Sequence, residues 1–478
     1  MRFRAVEHQV AFAAFVLAVA IFAYSHQAFA AVAGGLSLGV GEEYNDNIFF
    51  SNEKNHKNES DFITHIVPTF TFSYAPFGAT APTLNASLST SGEIYANHSD
   101  LNNFGKNIEG NIGYTYRATP RLNLHFADNF SREGTTRTIG LEAFAPPVQL
   151  PATPTQVAPV GSFITMPTFQ DAGGLLTKGS NIANYAYLGA SYLYAPNLTF
   201  SGAYGNSYSN TGGVGEVWNN VGFRGVYNWR RDHNLYAGYT VSIITSNAHG
   251  RKGGNSQGND IIHNIDIGDD YFSGFKIQLD PTWTISASGG IGINTSGNGP
   301  GLGGNSNLTM IKVWEKATLN LAVRRGFTGS YGISTGPSLT TTISSGFGAR
   351  LTQDLAAYLG TEYSIFETND GDFKVFRAAA GVQYWVTRWL SSQFWYAYRF
   401  RDAGNNSNNT AIASSGRVSG NAVVLTAAVY FDTYPNFRLS RGGARSLYPQ
   451  MGAPLYMGSE SQQPSRPGPA PAPSPSIQ

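Results

Sequence analysis

The chain of 478 residues has no cysteine, which excludes a disulfide scaffold and any lipid anchor that needs a thiol. Charge is scarce: Asp, Glu, Lys and Arg make up 13% of the residues, about half the usual ~25%. The 31 basic residues nearly balance the 30 acidic ones, so the basic surface that a nucleic-acid partner demands is missing. Beyond the N-terminal segment no apolar run approaches the ~18 residues of a membrane-spanning helix. Catalytic signatures are lacking too. There is no G-x-S-x-G, no H-E-x-x-H and no Walker loop, and the glycine-rich Gly299–Gly304 lacks the Lys-Ser/Thr ending. An enzyme is therefore not expected, and no cofactor or metal is called for.

What the chain does have is glycine (55), phenylalanine (30) and tyrosine (26). Tyr, Phe and Thr favour strands, while Gly, Asn and Ser fill turns. Arg2 and Arg4 precede an uncharged apolar run from Val10 to Tyr24, and Ala28-Phe29-Ala30 supplies small residues at a cleavage site. That order predicts a secretory signal peptide over residues 1–30. The run is too short for the ~20 residues of a spanning helix.

Beyond it the apolar residues recur with period two, the mark of strands. Leu355, Ala357, Leu359, Tyr363 and Ile365 alternate with Gly360, Glu362 and Ser364. Phe376, Ala378, Ala380, Val382 and Tyr384 alternate with Arg377, Gly381 and Gln383. Leu390, Phe394, Tyr396, Tyr398 and Phe400 face away from Ser391, Gln393 and Arg399. Ile108, Ile112, Tyr114 and Tyr116, and then Leu122, Leu124 and Phe126, follow the same rule. Segments of about ten residues, apolar on one side and polar on the other, describe the strands of a transmembrane barrel. A secreted sandwich shares the period but would bury its aromatic face. Here Tyr74, Tyr116, Tyr194, Tyr227, Tyr384 and Phe431 sit at strand ends, as an interfacial girdle requires.

The connections predict the same architecture. One set is short: Arg117–Leu122, Tyr194–Leu198, Leu279–Trp283, Arg350–Leu355 and Val386–Leu390. The other is longer and rich in Asn, Gly and Ser: Asn45–Asp61, Ser246–Asn259, Asn294–Asn305 and Arg401–Arg417. Strict alternation of the two sets places short turns in the periplasm and long loops outside the cell. Between Leu36 and Phe431 the pattern accommodates 18 strands, or 16 if the weak segments Leu36–Tyr44 and Leu308–Val313 are not strands. An even count leaves both termini periplasmic, and 16–18 strands enclose an aqueous lumen. The expectation is thus an all-β, antiparallel transmembrane barrel over residues 31–434, in the outer membrane.

Extending the alternation turns Glu93, Glu109, Arg224, Arg324, Glu362, Arg377 and Arg399 inward. The phase is expected on cost alone, because a charge facing lipid at mid-membrane costs ~2–4 kcal/mol. These residues either pair across the lumen and keep it wet or set ion or sugar selectivity. Tyr236 and Trp395 also fall inward and are candidate contacts for a glycan, or ordinary wall packing. Asp266, Asp269 and Asp270 read as solvated carboxylates rather than a cation site, and His65 and His125 as polar lumen residues. The segment 131–180, after the fifth strand, carries six prolines and a dozen large apolar residues. Such a loop is too apolar to leave in water, and it is expected to fold back into the barrel mouth. The alternative is an exposed cap.

The final strand, Asn421 to Phe431, presents Val423, Leu425, Ala427, Val429 and Phe431 on one face. A stripe ending on an aromatic resembles the signal read by the barrel-insertion machinery. Residues 435–478 are Pro/Ser-rich and cannot pack a core. They form either a disordered periplasmic end or a spacer that touches a periplasmic partner.

The opening stretch Gly39-Val40-Gly41-Glu42-Glu43-Tyr44-Asn45-Asp46-Asn47-Ile48-Phe49, followed by Ser60–Thr64 and Pro68, resembles the start of a family. These are the β-barrel porins encoded with the exopolysaccharide and exosortase systems of Gram-negative bacteria. The Thr-Pro-Arg-Leu type of turn is similar as well. The resemblance implies an outer-membrane channel-like protein, with lipid, the insertion machinery and a polysaccharide as partners. It carries no catalytic residue over to this chain. The Pro-rich segment 131–180 and the tail depart from the family pattern.

Overall fold

The computed structural model describes residues 30–432, apart from 50–58, 77–81, 134–180, 212–213, 231–232, 248–258, 273–282, 296–299, 329–336, 369–371, 403–416 and positions 315, 353 and 388. The expected signal segment up to residue 29, nearly all of the Pro-rich segment and the tail lie outside the described residues; Ala30 opens β1. Eighteen strands follow one another: β1 (Ala30–Asn45), β2 (Asp61–Pro76), β3 (Thr83–Tyr95), β4 (Asn103–Thr119), β5 (Leu122–Glu133), β6 (Asn181–Ala195), β7 (Leu198–Thr211), β8 (Val214–Arg230) and β9 (His233–Asn247). Then come β10 (Asn259–Phe272), β11 (Trp283–Asn294), β12 (Leu302–Val313), β13 (Ala317–Thr328), β14 (Ser338–Arg350), β15 (Leu355–Glu367), β16 (Phe373–Trp385), β17 (Leu390–Asp402) and β18 (Arg417–Asp432). Each pairs antiparallel with its neighbours in sequence, and β1 pairs with β18 from Gly35↔Asp432 to Asn45↔Ala422, so the sheet closes on itself.

The two weak segments are strands β1 and β12, which settles the count at 18 rather than 16. Three expectations need correction. Loop length does not alternate strictly: β7 and β8 join through 212–213 on the long-loop rim, and β10 and β11 through 273–282 on the other. Ser131–Glu133 continue β5, and Arg417–Gly420 open β18. The strands run 12 to 17 residues rather than about ten. Ten residues cross the apolar layer of a membrane, and the surplus carries the wall beyond it.

Local chemistry fixes the short turns. Thr119 Oγ1 accepts from the backbone N–H of Leu122 at 3.0 Å, Thr352 Oγ1 from Leu355 at 3.1 Å and Thr387 Oγ1 from Leu390 at 3.1 Å. Each hydroxyl also takes the N–H one residue earlier, at 3.2–3.3 Å. A threonine three residues before a strand-opening leucine thus caps the turn, satisfying donors the ladder has not yet paired.

The side chains divide as the period of two dictates. Outside, Phe223 and Ile267 are more than 60% exposed, and Leu36, Val40, Leu359, Phe394 and Leu425 share that face. An apolar surface wrapped around a whole barrel far exceeds what a water-soluble protein leaves bare; hydrocarbon is its solvent. Tyr116, Tyr194, Tyr227 and Tyr384 are exposed near the short-turn rim, and Tyr44 and Phe62, with ring centroids 5.1 Å apart, near the other. Two aromatic bands therefore flank the apolar belt.

The opening motif has a structural task at the seam. Asp46 Oδ1 accepts from the backbone N–H of Asn421 at 2.6 Å and Oδ2 from its side-chain Nδ2 at 2.7 Å, while Asp46 N–H donates back to the Asn421 carbonyl at 3.0 Å. Asn47 Nδ2 donates to the Ser419 carbonyl at 2.9 Å. Asn45 Oδ1 accepts from the Asn47 N–H at 3.0 Å, and Asn45 Nδ2 holds Glu43 Oε1 at the same distance. The Asn-Asp-Asn triplet thus clasps the end of the first strand to the start of the last.

Candidate functional site

The interior face is where chemistry is available, and strand register decides who meets whom there. Near the long-loop ends of β1, β2 and β3, His65 lies opposite Glu93. His65 Nε2 is 2.9 Å from Glu43 Oε2, and Nδ1 is 3.8 Å from Glu93 Oε1, with all three side chains at most 3% exposed. Tyr95 and Asn45 donate to the same two carboxylates. Two carboxylates beside one imidazole are tolerable in such burial only because each is hydrogen-bonded. Among the described residues, no three His, Asp or Glu side chains are grouped so as to hold a metal ion.

A second group spans β15 to β17. Arg377 Nη2 donates to Glu362 Oε1 at 2.7 Å across the β15–β16 ladder. Arg399, opposite Arg377 on β17, is 1% exposed, and its Nη2 reaches the Asn47 carbonyl at 3.4 Å. Trp395 lies against Gly381, where any Cβ would collide with the indole, and stacks with Tyr358 at 5.6 Å and 18°. Its Nε1 donates to Gln393 Oε1 at 3.0 Å. On the β8–β9 arc the Arg224 guanidinium sits 3.3 Å above the centroid of Tyr236, a cation–π contact.

The residues singled out from sequence therefore fall into separate groups. Glu93 joins His65 and Glu43, Glu362 joins Arg377, and Arg224 joins Tyr236. Glu109, opposite Ser89 and Ser131, and Arg324, opposite Asn307 and Thr342, stand on the same inner face. Tyr236 and Trp395 are 8% and 4% exposed, each covered by its protein partner. His125 is on the inner face, 3.4 Å from Thr115 Oγ1. The side chains of Asp266, Asp269 and Asp270 lie outside the described residues, as does the folding back of segment 134–180.

Sequence reasoning missed an apolar cluster inside the barrel. Trp218, Ile244 and Ile262 from β8–β10 join Phe366, Phe373, Val375 and Val418 from β15, β16 and β18, all at most 4% exposed, with Phe327 of β13 packed against them. Phe366 and Phe373 stack at 4.7 Å and 10°. Along the wall β10 and β15 are five strand spacings apart, roughly 24 Å at ~4.8 Å each. Side chains from the two arcs can share one cluster only across the interior. Phe327 helps by lying over Gly292 and Gly303, where added Cβ atoms would stand 2.7 and 3.0 Å from its ring. The two arcs meet across the interior at this level, near the long-loop rim. The signal was present in sequence: Phe366 has the same parity as the inward Glu362 and Ser364.

No protein-family model matches the chain, and no curated protein matches it in sequence. Among solved structures it is similar to the outer membrane protein opdK of Pseudomonas aeruginosa, at a TM-score of 0.41 and 10% identity, over 84% of this chain and 98% of that one. OpdQ of the same organism gives 0.41 and 9%, over 84% and 98%. The siderophore receptor PirA, also from Pseudomonas aeruginosa, gives 0.36 and 9%, over 83% and 80%. At such values nothing about a solute follows from these likenesses. By its own strand closure, apolar exterior and aromatic bands, the chain is an outer-membrane β-barrel.

Proposed function

We propose that this barrel is a channel, not an enzyme, for small hydrophilic solutes, and that the apolar cluster of Trp218, Phe366 and Phe373 is its closed gate. The observation that carries the reading is the inner face: charged and amide side chains line a closed wall whose outer face is mainly apolar. Glu93, Glu109, Arg224, Arg324, Glu362, Arg377 and Arg399, with Tyr236 and Trp395, are the proposed lining. Apolar constrictions close a pore to ions by expelling water, so the cluster and the polar lining are compatible parts of one device.

The same cluster favours a second reading, a structural or adhesive barrel that stays plugged. Single-channel recording in planar bilayers separates the two. Discrete openings support the channel; a silent, correctly folded barrel supports the plug. The resemblance of the opening segment to exopolysaccharide-associated porins makes an acidic or neutral polysaccharide the first polymer to test as a blocker of those openings.

A further inference from the structure

The exterior is not uniformly apolar: Thr64 pairs with Glu42, Tyr239 with His263 and Ser345 with Thr361 on it, and one arc carries a longer polar row. On β5 to β8, Asp128, Ala186, Asn206 and Asn219 occupy one row of the register. Their parity is that of Phe126, Leu188, Tyr204 and Phe223, all exposed on the lipid side. Asn184 Nδ2 donates to Asp128 Oδ1 at 2.8 Å; Asn206 Nδ2 and Tyr204 OH both donate to Asn219 Oδ1 at 2.9 Å. Counted from the short-turn rim, Asp128 is the seventh residue of β5 and Asn206 the ninth of β7, within the 9–11 that cross hydrocarbon. Among the described residues no cation pairs with Asp128.

We infer that this face of β4–β9 is covered by a second copy of the same chain, forming a two-fold dimer in the membrane. Lipid tails offer no hydrogen bond to a carboxylate or an amide, so the row is out of place unless protein covers it. The unused groups are complementary to themselves. Asn219 Nδ2 remains free to donate, and Asp128 Oδ2, Asn184 Oδ1 and Asn206 Oδ1 remain free to accept. A two-fold axis normal to the membrane keeps every residue at its own height and brings the centre of the patch, at Ala186 and Asn206, against its own copy. Ala186, between Asp128 and Asn206, is small enough to let two walls meet. The area also suits: six strands ~4.8 Å apart over ~25 Å of apolar height make roughly 700 Å², close to the ~800 Å² per partner of a standard interface.

Because the chain has no cysteine, Ala186→Cys introduces a single thiol at the centre of the patch. Ala380→Cys places one on the apolar exterior of β16, beside the exposed Leu359. Mild oxidation of intact outer membranes should give a disulfide-linked dimer from Ala186→Cys at least tenfold above that from Ala380→Cys. Adding Asn206→Leu and Asn219→Leu should reduce that dimer about tenfold, while the barrel keeps its heat-modifiable mobility on gels. Equal crosslinking at both sites, or none at Ala186→Cys, overturns the proposal. So does native mass spectrometry showing a monomer that retains lipid, or a different protein crosslinked at Ala186→Cys.

Discussion

Replacing Phe373 by alanine probes the closure most directly. The ring is 3% exposed and stacks on Phe366 at 4.7 Å. Truncating a buried phenylalanine costs ~3–5 kcal/mol. The stack on Phe366 is a cross-strand pair of the wall and persists in either state, whereas packing in the cluster with Trp218, Ile244 and Ile262 is made across the interior. If that packing carries most of the loss, the loss falls on the closed state. Taking about 3 kcal/mol, the ratio of open to closed molecules rises roughly 150-fold, since each ~1.4 kcal/mol is a factor of ten. A channel open for about one part in a thousand of the time would then be open for over a tenth of it. The assay is single-channel open probability in planar bilayers, with near-pure β circular dichroism confirming the fold. Phe366→Ala should act in the same direction, and the double variant should add little, because the two rings form one contact. A folded Phe373→Ala barrel with unchanged open probability would refute the assignment of the cluster as a gate.

Further outcomes follow from other contacts. Glu362→Gln removes the carboxylate that holds Arg377 at 2.7 Å and should shift the reversal potential in a salt gradient toward anions; Arg377→Gln should shift it toward cations. Gly381→Leu puts a side chain where the Trp395 indole lies. It should lower the unfolding midpoint in detergent by an amount matching ~1–3 kcal/mol of overpacking. Outside the strands, His98 holds Asp61 Oδ2 with Nδ1 at 2.7 Å and Glu59 Oε2 with Nε2 at 2.9 Å. The hydrogen bond to Asp61 raises its pKa above the ordinary value, partial burial opposes this, and Glu59 adds to the rise. A raised imidazole stabilises fully below about pH 6.5 and loses that contribution as pH climbs through the raised value. Hydrogen exchange of residues 96–102 should therefore accelerate above neutrality beyond the intrinsic rate, and His98→Ala should abolish the excess.

Much of the wall was legible because one physical rule governs it. A strand between lipid and lumen must alternate, so Leu359 against Glu362 or Phe394 against Gln393 reveals its face from parity alone. The threonine turns were legible as a recurring pattern, although their hydrogen bonds were not. The interior was less so. Parity says that Phe366 and Trp218 point inward but not that they meet, because contact across the lumen depends on how the whole cylinder curves. Glu43 was hidden beside Glu42, although the parity of Leu36, Leu38 and Val40 puts Glu42 on the lipid side and Glu43 on the side of His65. The Asn-Asp-Asn clasp stood out as a motif, yet its partner Asn421 lies 375 residues away, beyond any local reading.

That separation bears on how the barrel comes into being. Every other ladder joins neighbours in sequence and can form as a hairpin as soon as its two strands exist. The β1–β18 ladder joins the two ends of the wall and carries the largest loop-closure entropy of the set. It can form only after the last strand is available, so it is expected to be the slow step of assembly. Until then the first and last strands present bare edges, which would pair with each other's copies on other chains. Asp46 and Asn47 stand at the far end of that ladder, where the first strand meets the opening residues of β18. They are placed to act as a latch that makes closure hard to reverse, and the cost of losing them would fall on the yield of inserted barrels.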